Sequence, residues 1–257
     1  MLDELFRGAR EDWLARQALV PAAQLERIIA DVAAPMDVLA ALGPREQVHL
    51  IAEIKRKSPS KGDLAQISDP VELATAYERG GASIISVLTE GRRFGGSLDD
   101  LTKVAQAVHI PVLRKDFLDS EYQILEARAA GADLVLLIMA GLIDERVEIL
   151  LEFAKSLGMQ ALVEAHSAEE VDRAVACGAD IIGINARDLT TFELDISLFS
   201  RLETRIPAGI IKIAESAVVN SQDVTRYREQ GADGVLVGEA LVTGSDPENR
   251  VREFVNA

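Results

Sequence analysis

A phrase that occurs four times along the chain constrains its fold more than any other feature. The copies are YERGGASIISVLTE (77–90), ARAAGADLVLLIMA (127–140), AVACGADIIGIN (174–185) and YREQGADGVLVGEA (227–240). Each copy reads as the end of a helix, a glycine that ends it, and an apolar run typical of a buried strand. The glycines stand at positions 81, 131, 178 and 231, at intervals of 50, 47 and 53 residues. A period of this length fits two units of strand and helix.

Four further apolar runs lie between the copies and complete a set of eight predicted strands. They are HLIAEI (49–54), IPVLRK (110–115), MQALVE (159–164) and GIIKIAE (209–215), and a helical pattern follows each. Strands separated by helices pair in parallel, and eight such units in about 200 residues fit a closed barrel. The sequence therefore predicts an α/β protein with the (β/α)8 TIM-barrel fold. An open doubly wound sheet is the alternative, but no G-x-G-x-x-G follows the first strand.

The first 48 residues precede the first predicted strand and are not needed to build a barrel. DELFRGAREDWLARQ and AAQLERIIADVA have the apolar spacing of helices, and Pro21 and Pro35 interrupt them. We expect a single domain over residues 1–257, in which residues 1–48 form an N-terminal helical extension that caps one barrel end. An arm that binds a partner is the alternative.

Charge and composition argue against several classes of partner. The net charge is -15 and the pI is near 4.7. Nucleic acid or an anionic membrane would require a basic stripe, so we expect neither as a partner. The longest apolar run, residues 134–143, is too short to cross a bilayer, and the first twenty residues carry mixed charge where a signal peptide would be apolar. We therefore expect a cytoplasmic protein. Its oligomeric state stays open, with a monomer as our expectation.

The cysteine and histidine content gives no metal motif. Cys177 is the one cysteine, which excludes an internal disulfide framework and a cysteine-rich zinc site and fits a reducing compartment. The three histidines, His49, His109 and His166, have no neighbours at a metal-ligand spacing. We interpret them as surface or packing residues, and we predict that the protein binds no metal.

Polar residues stand at the carboxyl end of nearly every predicted strand. A TIM barrel builds its active site at that end, from the strand ends and the loops that follow them. The residues at these positions are Glu53, Lys55, Lys115, Asp116, Glu164, Asn185, Arg187, Glu215, Ser216, Gly238 and Glu239. Any one of them alone is consistent with a solvated loop charge. Together, lysines and glutamates that face inward would bury charge at high cost unless they are paired or used, so the set predicts an active site.

The loop after the first strand is basic, although the chain as a whole is acidic. In IAEIKRKSPSKG (51–62), four cationic side chains lie within seven positions. A local cluster of this kind on an acidic protein is typical of a site for a small anion. We therefore predict that this loop binds a small anion.

Seven ordered segments resemble the successive motifs of the indole-3-glycerol phosphate synthase family. They are IAEIKRKSPSKG, SVLTEGRRFGGSLDDL, PVLRKDFLDSEYQILEARAAGADLVLLI, ALVEAH, IGINARDLTTFELD, IAES and LVGEAL, between about residues 50 and 243. The N-terminal extension is also similar to that of the family. The resemblance implies a barrel enzyme of tryptophan biosynthesis, a carboxy-lyase that works without metal or organic cofactor. Its substrate would be 1-(2-carboxyphenylamino)-1-deoxyribulose 5-phosphate, a phosphorylated small molecule. Ser58 and Lys55 in the basic loop would lie near the negative charge of that substrate.

The resemblance assigns catalytic roles to residues at the strand ends. Lys115 would be the acid that stabilises negative charge on the ketone oxygen during ring closure, and Glu164 would be the base of the later dehydration. Lys55 would lie near the reacting groups, and which lysine acts at which step stays open. The remaining catalytic positions by resemblance, with roles in holding substrate hydroxyls or orienting a lysine, are Glu53, Asn185 and Glu215.

The resemblance also implies residues that bind the two ends of the substrate. Arg187 would lie on the anthranilate side. The aromatic ring would be walled by Phe94, Phe117, Leu136, Leu189 and Leu236. Backbone N–H groups near Ser216, Ala217 and Gly238 would bind the phosphate, since barrels commonly bind phosphate after strands seven and eight.

One position departs from the family pattern. Where the family usually has Glu-Ser-Gly after strand seven, the chain has Glu215, Ser216 and Ala217. A glycine there would serve a positive φ or a close approach to phosphate. We expect an ordinary φ at Ala217, with left-handed backbone as the alternative.

Two other functions remain open at the level of sequence. A Schiff-base aldolase would use Lys115 or Lys55 as a nucleophile toward a carbonyl. A barrel without catalytic activity would only bind a sugar phosphate.

Overall fold

Eight parallel strands form the framework of the computed structural model, which describes residues 1–58, 61–64, 67–189, 191–244 and 246–257. The strands are β1 (His49–Ile54), β2 (Ile84–Leu88), β3 (Val112–Lys115), β4 (Leu134–Ile138), β5 (Gln160–Ala165), β6 (Ile181–Asn185), β7 (Ile211–Glu215) and β8 (Gly234–Val237). They close in the order β1-β8-β7-β6-β5-β4-β3-β2. The predicted (β/α)8 barrel is therefore confirmed, and the open sheet is excluded.

The strand bounds differ from the predicted ones by one or two residues. β3 begins at Val112 rather than at residue 110, since Pro111 has no N–H to donate to a neighbouring strand. β7 begins at Ile211, and β5 runs one residue further, to Ala165. Most strand residues are buried on both faces, as expected for parallel strands between a packed interior and a ring of helices.

Helices alternate with the strands around the barrel. The α-helices are α1 (Leu2–Leu19), α2 (Ala22–Asp31), α3 (Val38–Ala41), α4 (Pro70–Gly80), α5 (Leu98–Ala107), α6 (Glu121–Ala129), α7 (Asp144–Ser156), α8 (Ala168–Ala176), α9 (Leu198–Leu202), α10 (Ser221–Glu229), α11 (Glu239–Val242) and α12 (Pro247–Val255). Short 3-10 turns span Met139–Gly141 and Glu203–Arg205.

Local sequence explains where several barrel helices begin and end. At the start of six of them, a polar side chain accepts hydrogen bonds from backbone N–H groups of the first turn. The accepting residues are Asp69, Ser97, Ser120, Ser167, Asn220 and Asp246. The repeat glycines all have positive φ: Gly81 (100°), Gly131 (92°), Gly178 (80°) and Gly231 (88°). Only glycine takes this left-handed conformation without strain, which is why the phrase has a glycine at each of its four transitions from helix to strand.

The N-terminal extension runs from one end of the barrel to the other. Near its start, the ring of Phe6 in α1 packs edge-on against Phe117, which follows β3, with centroids 5.7 Å apart. Further along, the backbone N–H of Met36 donates to Asp133 Oδ1, just before β4, at 2.8 Å. Finally, the His49 ring lies 2.8 Å from the carbonyl oxygen of Gly43. These contacts support the proposal that residues 1–257 form one domain.

A short antiparallel hairpin follows β1 and was not predicted. Lys57–Ser58 pairs with Gly62–Asp63. It lies in the basic loop, whose Pro59 and Ser60 fall outside the described residues.

The described part of the chain contains no helix long and apolar enough to cross a membrane. Across the same residues, no group of three or more His, Cys, Asp and Glu side chains is placed to hold a metal ion.

Candidate active site

A cavity of about 390 Å³ opens at the carboxyl ends of the barrel strands. All of the predicted site residues line it: Glu53, Lys55, Ser58, Phe94, Lys115, Phe117, Leu136, Glu164, Asn185, Arg187, Leu189, Glu215, Ser216, Ala217, Leu236 and Gly238. The barrel therefore brings together residues from all eight strands or the loops that follow them. Their chemical roles stay predictions, which this geometry supports.

Strand alternation explains why the polar side chains meet inside the barrel. Successive residues of a strand point to opposite faces of the sheet. Residues that are paired across neighbouring parallel strands therefore point to the same face and lie at similar heights along the barrel. In the register of β6 and β7, Asn185 pairs with Glu215. Glu164 pairs with Gly183 across β5 and β6. A Cβ atom at Gly183 would lie 2.1 Å from Glu215 Oε1, so glycine is required here to leave room for that carboxylate.

Lys115 stands at the centre of the polar cluster. Its Nζ donates to Glu215 Oε2 at 2.7 Å and to Glu164 Oε2 at 3.2 Å. The lysine side chain is 14% exposed and both carboxylates are almost fully buried. Burial by itself would lower the pKa of Lys115, but the neighbouring carboxylates, Glu215 foremost, outweigh it and hold that pKa well above its usual range. The amine therefore stays a cationic ammonium in the unliganded site.

The two carboxylates at Lys115 differ in their ionisation. For Glu164, burial would raise the pKa, but the positive charges of Lys115 and His166 hold it well below its usual range. For Glu215, burial raises the pKa to about 8, and repulsion from Glu164 adds to the effect against the attraction of Lys115. Glu164 is therefore charged, whereas Glu215 is more readily protonated. This difference suits Glu164 to the role of proton acceptor.

A second ion pair lies at the end of β1. Lys55 Nζ is 2.7 Å from Glu53 Oε1, with Glu53 buried and the lysine 20% exposed. A Cβ atom at Gly238 would lie 2.4 Å from the same Glu53 oxygen. Gly238 has a φ of -118°, which is not left-handed. The glycine is therefore required for its small size. Above this pair, Lys61 forms an ion pair with Glu239 at the cavity rim.

One wall of the cavity is aromatic. The rings of Phe94 and Phe117 are tilted against each other with centroids 6.1 Å apart. The loop that carries Phe94 is held by the buried carboxylate of Glu90, which accepts the backbone N–H groups of Arg92, Arg93 and Phe94 at 2.7 to 2.9 Å. Three leucines that were also predicted complete the apolar lining, at positions 136, 189 and 236. This part of the site suits a flat apolar ring.

The expectation of an ordinary φ at Ala217 was wrong. Ser216 and Ala217 have φ values of 67° and 57°, so two successive residues adopt left-handed backbone. Phe192, at 62°, is the other non-glycine residue with positive φ in the described ranges, and it also lines the cavity. Such strain persists where surrounding contacts hold it, and it is concentrated at functional sites.

Hydrogen bonds around Ser216 show what holds this turn. The Ser216 hydroxyl donates to Asn185 Oδ1 at 2.8 Å, and the same oxygen accepts the backbone N–H of Arg187 at 3.0 Å. Tyr227 donates its hydroxyl to the Ser216 carbonyl at 3.4 Å. Ser216 and Ala217 line the cavity directly after β7. A turn at a strand end can present backbone N–H groups to an anion.

Sequence reasoning missed two charged residues beside the site. His166 lies with Nε2 3.2 Å from Glu164 Oε1, and its side chain is 11% exposed. Arg114 is fully buried on the other face of β3, where it donates to Asp116 at 3.0 Å and to the Gln123 carbonyl at 2.6 Å. The spacing Glu-x-His at the end of β5 was a usable signal for the histidine, since such residues share a strand face. No sequence signal identified the partners of Arg114.

The Arg114 network joins the N-terminal extension to the strand that carries Lys115. Glu126 in α6 lies 3.4 Å from Arg114 Nη1 and accepts Arg16 Nη2, from α1, at 2.9 Å. Asp116 in turn accepts the hydroxyl of Thr89 at 2.5 Å. A buried guanidinium with several acceptors is held in one geometry, so this network fixes the backbone beside Lys115.

The geometry of the barrel is shared with several solved structures. One is 3-hexulose-6-phosphate synthase from Salmonella typhimurium, with a TM-score of 0.64 and 18% identity over 81% of this chain and 97% of that one. Another is thiamine phosphate pyrophosphorylase from Pyrococcus furiosus, with a TM-score of 0.62 and 18% identity over 80% of this chain and 93% of that one. At this identity the similarity shows the fold alone.

Curated relatives are much closer in sequence. An indole-3-glycerol phosphate synthase from Mycobacteroides abscessus is 55% identical over all of this chain and 94% of its own length. Another, from Leifsonia xyli, is 55% identical over 99% of this chain and 97% of its own. The model of the family Indole-3-glycerol phosphate synthase matches residues 2–254. With the predicted motifs gathered around one cavity and relatives of this identity along its length, the chain belongs to the indole-3-glycerol phosphate synthase family.

Proposed function

We propose that the chain converts 1-(2-carboxyphenylamino)-1-deoxyribulose 5-phosphate to indole-3-glycerol phosphate, with release of carbon dioxide and water. The observation that carries the proposal is the ammonium of Lys115, which lies 2.7 Å from Glu215 and 3.2 Å from Glu164 inside the cavity. The same cavity has an aromatic wall, formed by Phe94 and Phe117, and is also lined by the Ser216 turn. The arrangement suits a substrate with an aromatic ring at one end and a phosphate at the other.

Ring closure is the first step that these groups would catalyse. A ring carbon of the anthranilate attacks the ketone carbon, and negative charge develops on the ketone oxygen. Lys115 would stabilise that oxygen and donate a proton to it, because its carboxylate neighbours keep it cationic despite burial. Loss of the carboxylate as carbon dioxide then restores the aromatic ring. Removing one electrostatic contact of this kind costs about 10² to 10³ in kcat.

Dehydration is the second step, and it requires a base and an acid. The hydroxyl left by ring closure departs as water while a proton leaves the ring system. Glu164 would accept that proton, since it is buried and held in its charged form. Lys55, paired with Glu53 at 2.7 Å, would protonate the departing hydroxyl. The two groups come from β5 and from the end of β1, so they can address different sides of the substrate.

The other predicted residues would position the substrate. Glu53 and Asn185 would hold its hydroxyls, and Glu215 would orient Lys115 through their 2.7 Å contact. Arg187 would lie on the anthranilate side; one of its Nη atoms donates to the Phe192 carbonyl at 3.3 Å. The phosphate would accept the backbone N–H groups of the Ser216 turn.

We infer that the enzyme is cytoplasmic. We also infer that it works as a monomer, because the N-terminal extension packs on the barrel of its own chain and leaves no arm for a partner. Light scattering of the purified protein at working concentration tests this directly. A stable dimer would contradict it.

Indole fluorescence tests the proposed reaction. We expect it to appear when the purified chain receives the carboxyphenylamino substrate without metal or organic cofactor, and to be absent with Lys115→Met. Borohydride added during turnover should trap no lysine adduct. A trapped adduct would indicate Schiff-base chemistry, and the absence of indole product would contradict the proposed function.

A further inference from the structure

Two buried carboxylates share one ammonium at the base of the cavity. Lys115 Nζ lies 2.7 Å from Glu215 Oε2 and 3.2 Å from Glu164 Oε2. Both glutamate side chains are no more than 2% exposed. Burial, with repulsion from Glu164 acting against the attraction of Lys115, raises the pKa of Glu215 to about 8, so the pair holds a proton at neutral pH. Distance to Lys115 alone would place the negative charge on Glu215.

His166 removes the symmetry between the two carboxylates. Its Nε2 lies 3.2 Å from Glu164 Oε1, on the side away from Lys115 Nζ, which contacts Oε2. Glu215 has no equivalent, since its Oε1 is buried and makes no hydrogen bond within the described residues. Glu164 thus has a charged partner for each of its oxygens, whereas Glu215 has one for a single oxygen.

The histidine itself is held from two sides. Its Nδ1 lies 3.4 Å from Glu170 Oε2, in the first turn of α8, and the same oxygen accepts the His166 backbone N–H at 2.8 Å. The ring is 11% exposed and lies between two carboxylates. Nε2 makes no hydrogen bond within the described residues, so its contact with Glu164 is an ion pair by distance. Two carboxylates within 3.4 Å of opposite ring nitrogens favour the imidazolium, whose positive charge is shared by both nitrogens.

Charged groups surround both His166 and Glu164. His166 faces Glu164 from β5 and Glu170 from α8, and the start of α8 opposes a cation through its helix dipole. Glu164 faces Lys115, Glu215 and His166, with the neutral Asn185 side chain as a further partner. Burial would lower the pKa of His166, but the two glutamates outweigh burial and raise it to about 10.

We propose that His166, held as an imidazolium between Glu164 and Glu170, is a positioning residue that keeps the negative charge on Glu164 and leaves the shared proton on Glu215. The proposal rests on the proposed function, in which Glu164 is the base. It explains how two carboxylates at one lysine take different roles. A base must be unprotonated when substrate arrives, and the imidazolium secures that state at neutral pH.

Nuclear magnetic resonance of the wild-type chain tests the charge of His166 without any activity measurement. The chain has three histidines, so ¹⁵N-labelled imidazole signals can be assigned by comparison with His109→Gln and His166→Gln. We expect the His166 signals to remain those of an imidazolium at about pH 8, where a free histidine is neutral. A neutral ring at that pH would overturn the proposal.

The pH dependence of kcat/KM tests the effect on Glu164. An opposite charge at this distance lowers a carboxyl pKa by about 1 to 3 units, so His166→Gln should move the acid limb of the profile up by about that amount. His166→Lys keeps the charge and is the matched control, with a limb within about 0.5 unit of wild type. KM should change by no more than about threefold, because the phosphate end of the site lies on other strands.

The possible outcomes separate the two proposals. A limb that moves with His166→Gln and stays with His166→Lys supports the positioning role. An unmoved limb in both variants, or an equal shift in both, overturns it while the proposed reaction stands. If wild type forms no indole product, the proposed function fails, and the resonance measurement still decides the charge of His166. That measurement needs only the wild-type fold, so misfolding of a variant does not prevent a decision.

Discussion

Replacing Ala217 by glycine should stabilise the protein, contrary to the usual effect of glycine. Ala217 has a φ of 57°, where a non-glycine residue carries about 1–2 kcal/mol of strain. Glycine removes that strain but adds conformational entropy to the unfolded chain, which costs about 0.5–1 kcal/mol. The difference predicts an increase of about 0.75 kcal/mol in the free energy of unfolding, within a range of about 0 to 1.5 kcal/mol.

Urea denaturation followed by circular dichroism measures this change. The matched control is Ala30→Gly, an exposed position in the helix α2 (Ala22–Asp31), where backbone is right-handed. Glycine there should lower the free energy of unfolding by about 1 kcal/mol. Both substitutions replace alanine by glycine. Changes of opposite sign in the free energy of unfolding would therefore isolate the effect of φ. If Ala217→Gly destabilises the protein as the control does, the turn is not left-handed in solution and the reasoning is refuted.

Steady-state kinetics of the same variant tests the proposed phosphate site. The cavity end beside Ser216 should bind phosphate somewhat differently when the methyl group is removed, while the proton-transfer groups on other strands stay in place. We expect KM to change by no more than about tenfold, equivalent to about 1.4 kcal/mol, and kcat to stay within about threefold. A large change in kcat with KM unmoved would show that this position governs chemistry and would contradict the placement of the phosphate.

Further substitutions test the polar cluster. Lys115→Met should abolish ring closure but retain substrate binding, as measured by titration, and more than about a tenth of wild-type kcat would exclude its acid role. Glu164→Gln should lower kcat by about 10² to 10⁴ with folding intact by circular dichroism; an unfolded variant would indicate a structural role. Gly183→Ala should lower kcat by about 10- to 100-fold, because a Cβ 2.1 Å from Glu215 Oε1 displaces that carboxylate from Lys115, and unchanged kinetics would contradict this. The pKa of His166 is raised from 6.5 to about 10, so its contribution to stability is present below about pH 6.5 and lost as the pH rises through about 10. Urea titrations should therefore show the stability difference between wild type and His166→Gln shrinking over that range, and a constant difference would contradict it.

Local patterns in the sequence were sufficient to predict the barrel and the members of its site. The repeat glycines mark where helices end, and apolar runs between them mark strands, because both depend on residues near one another in the chain. Parallel strands then place their carboxyl ends at one mouth, so polar residues at those ends converge whatever their partners are. Lys115, Glu164 and Glu215 were predicted in this way. The family motifs added the substrate, the roles and the apolar lining, which is formed by Phe94, Phe117, Leu136, Leu189 and Leu236.

Tertiary structure alone decided which of these residues touch and in what state. Lys115 meets Glu164 and Glu215 at separations of 49 and 100 residues along the chain, and no local pattern encodes a 2.7 Å contact over that distance. His166 was interpreted as a surface or packing residue, although its position two residues after Glu164 was a usable signal; its contact with Glu170 forms only when α8 packs beside the end of β5. The left-handed φ of Ala217 was missed for a related reason. An alanine prefers right-handed backbone in isolation, and contacts from Tyr227, Asn185 and Arg226 on the folded barrel hold the turn against that preference. Ionisation and strain are set by the sum of surrounding contacts, which exists only once the barrel has closed.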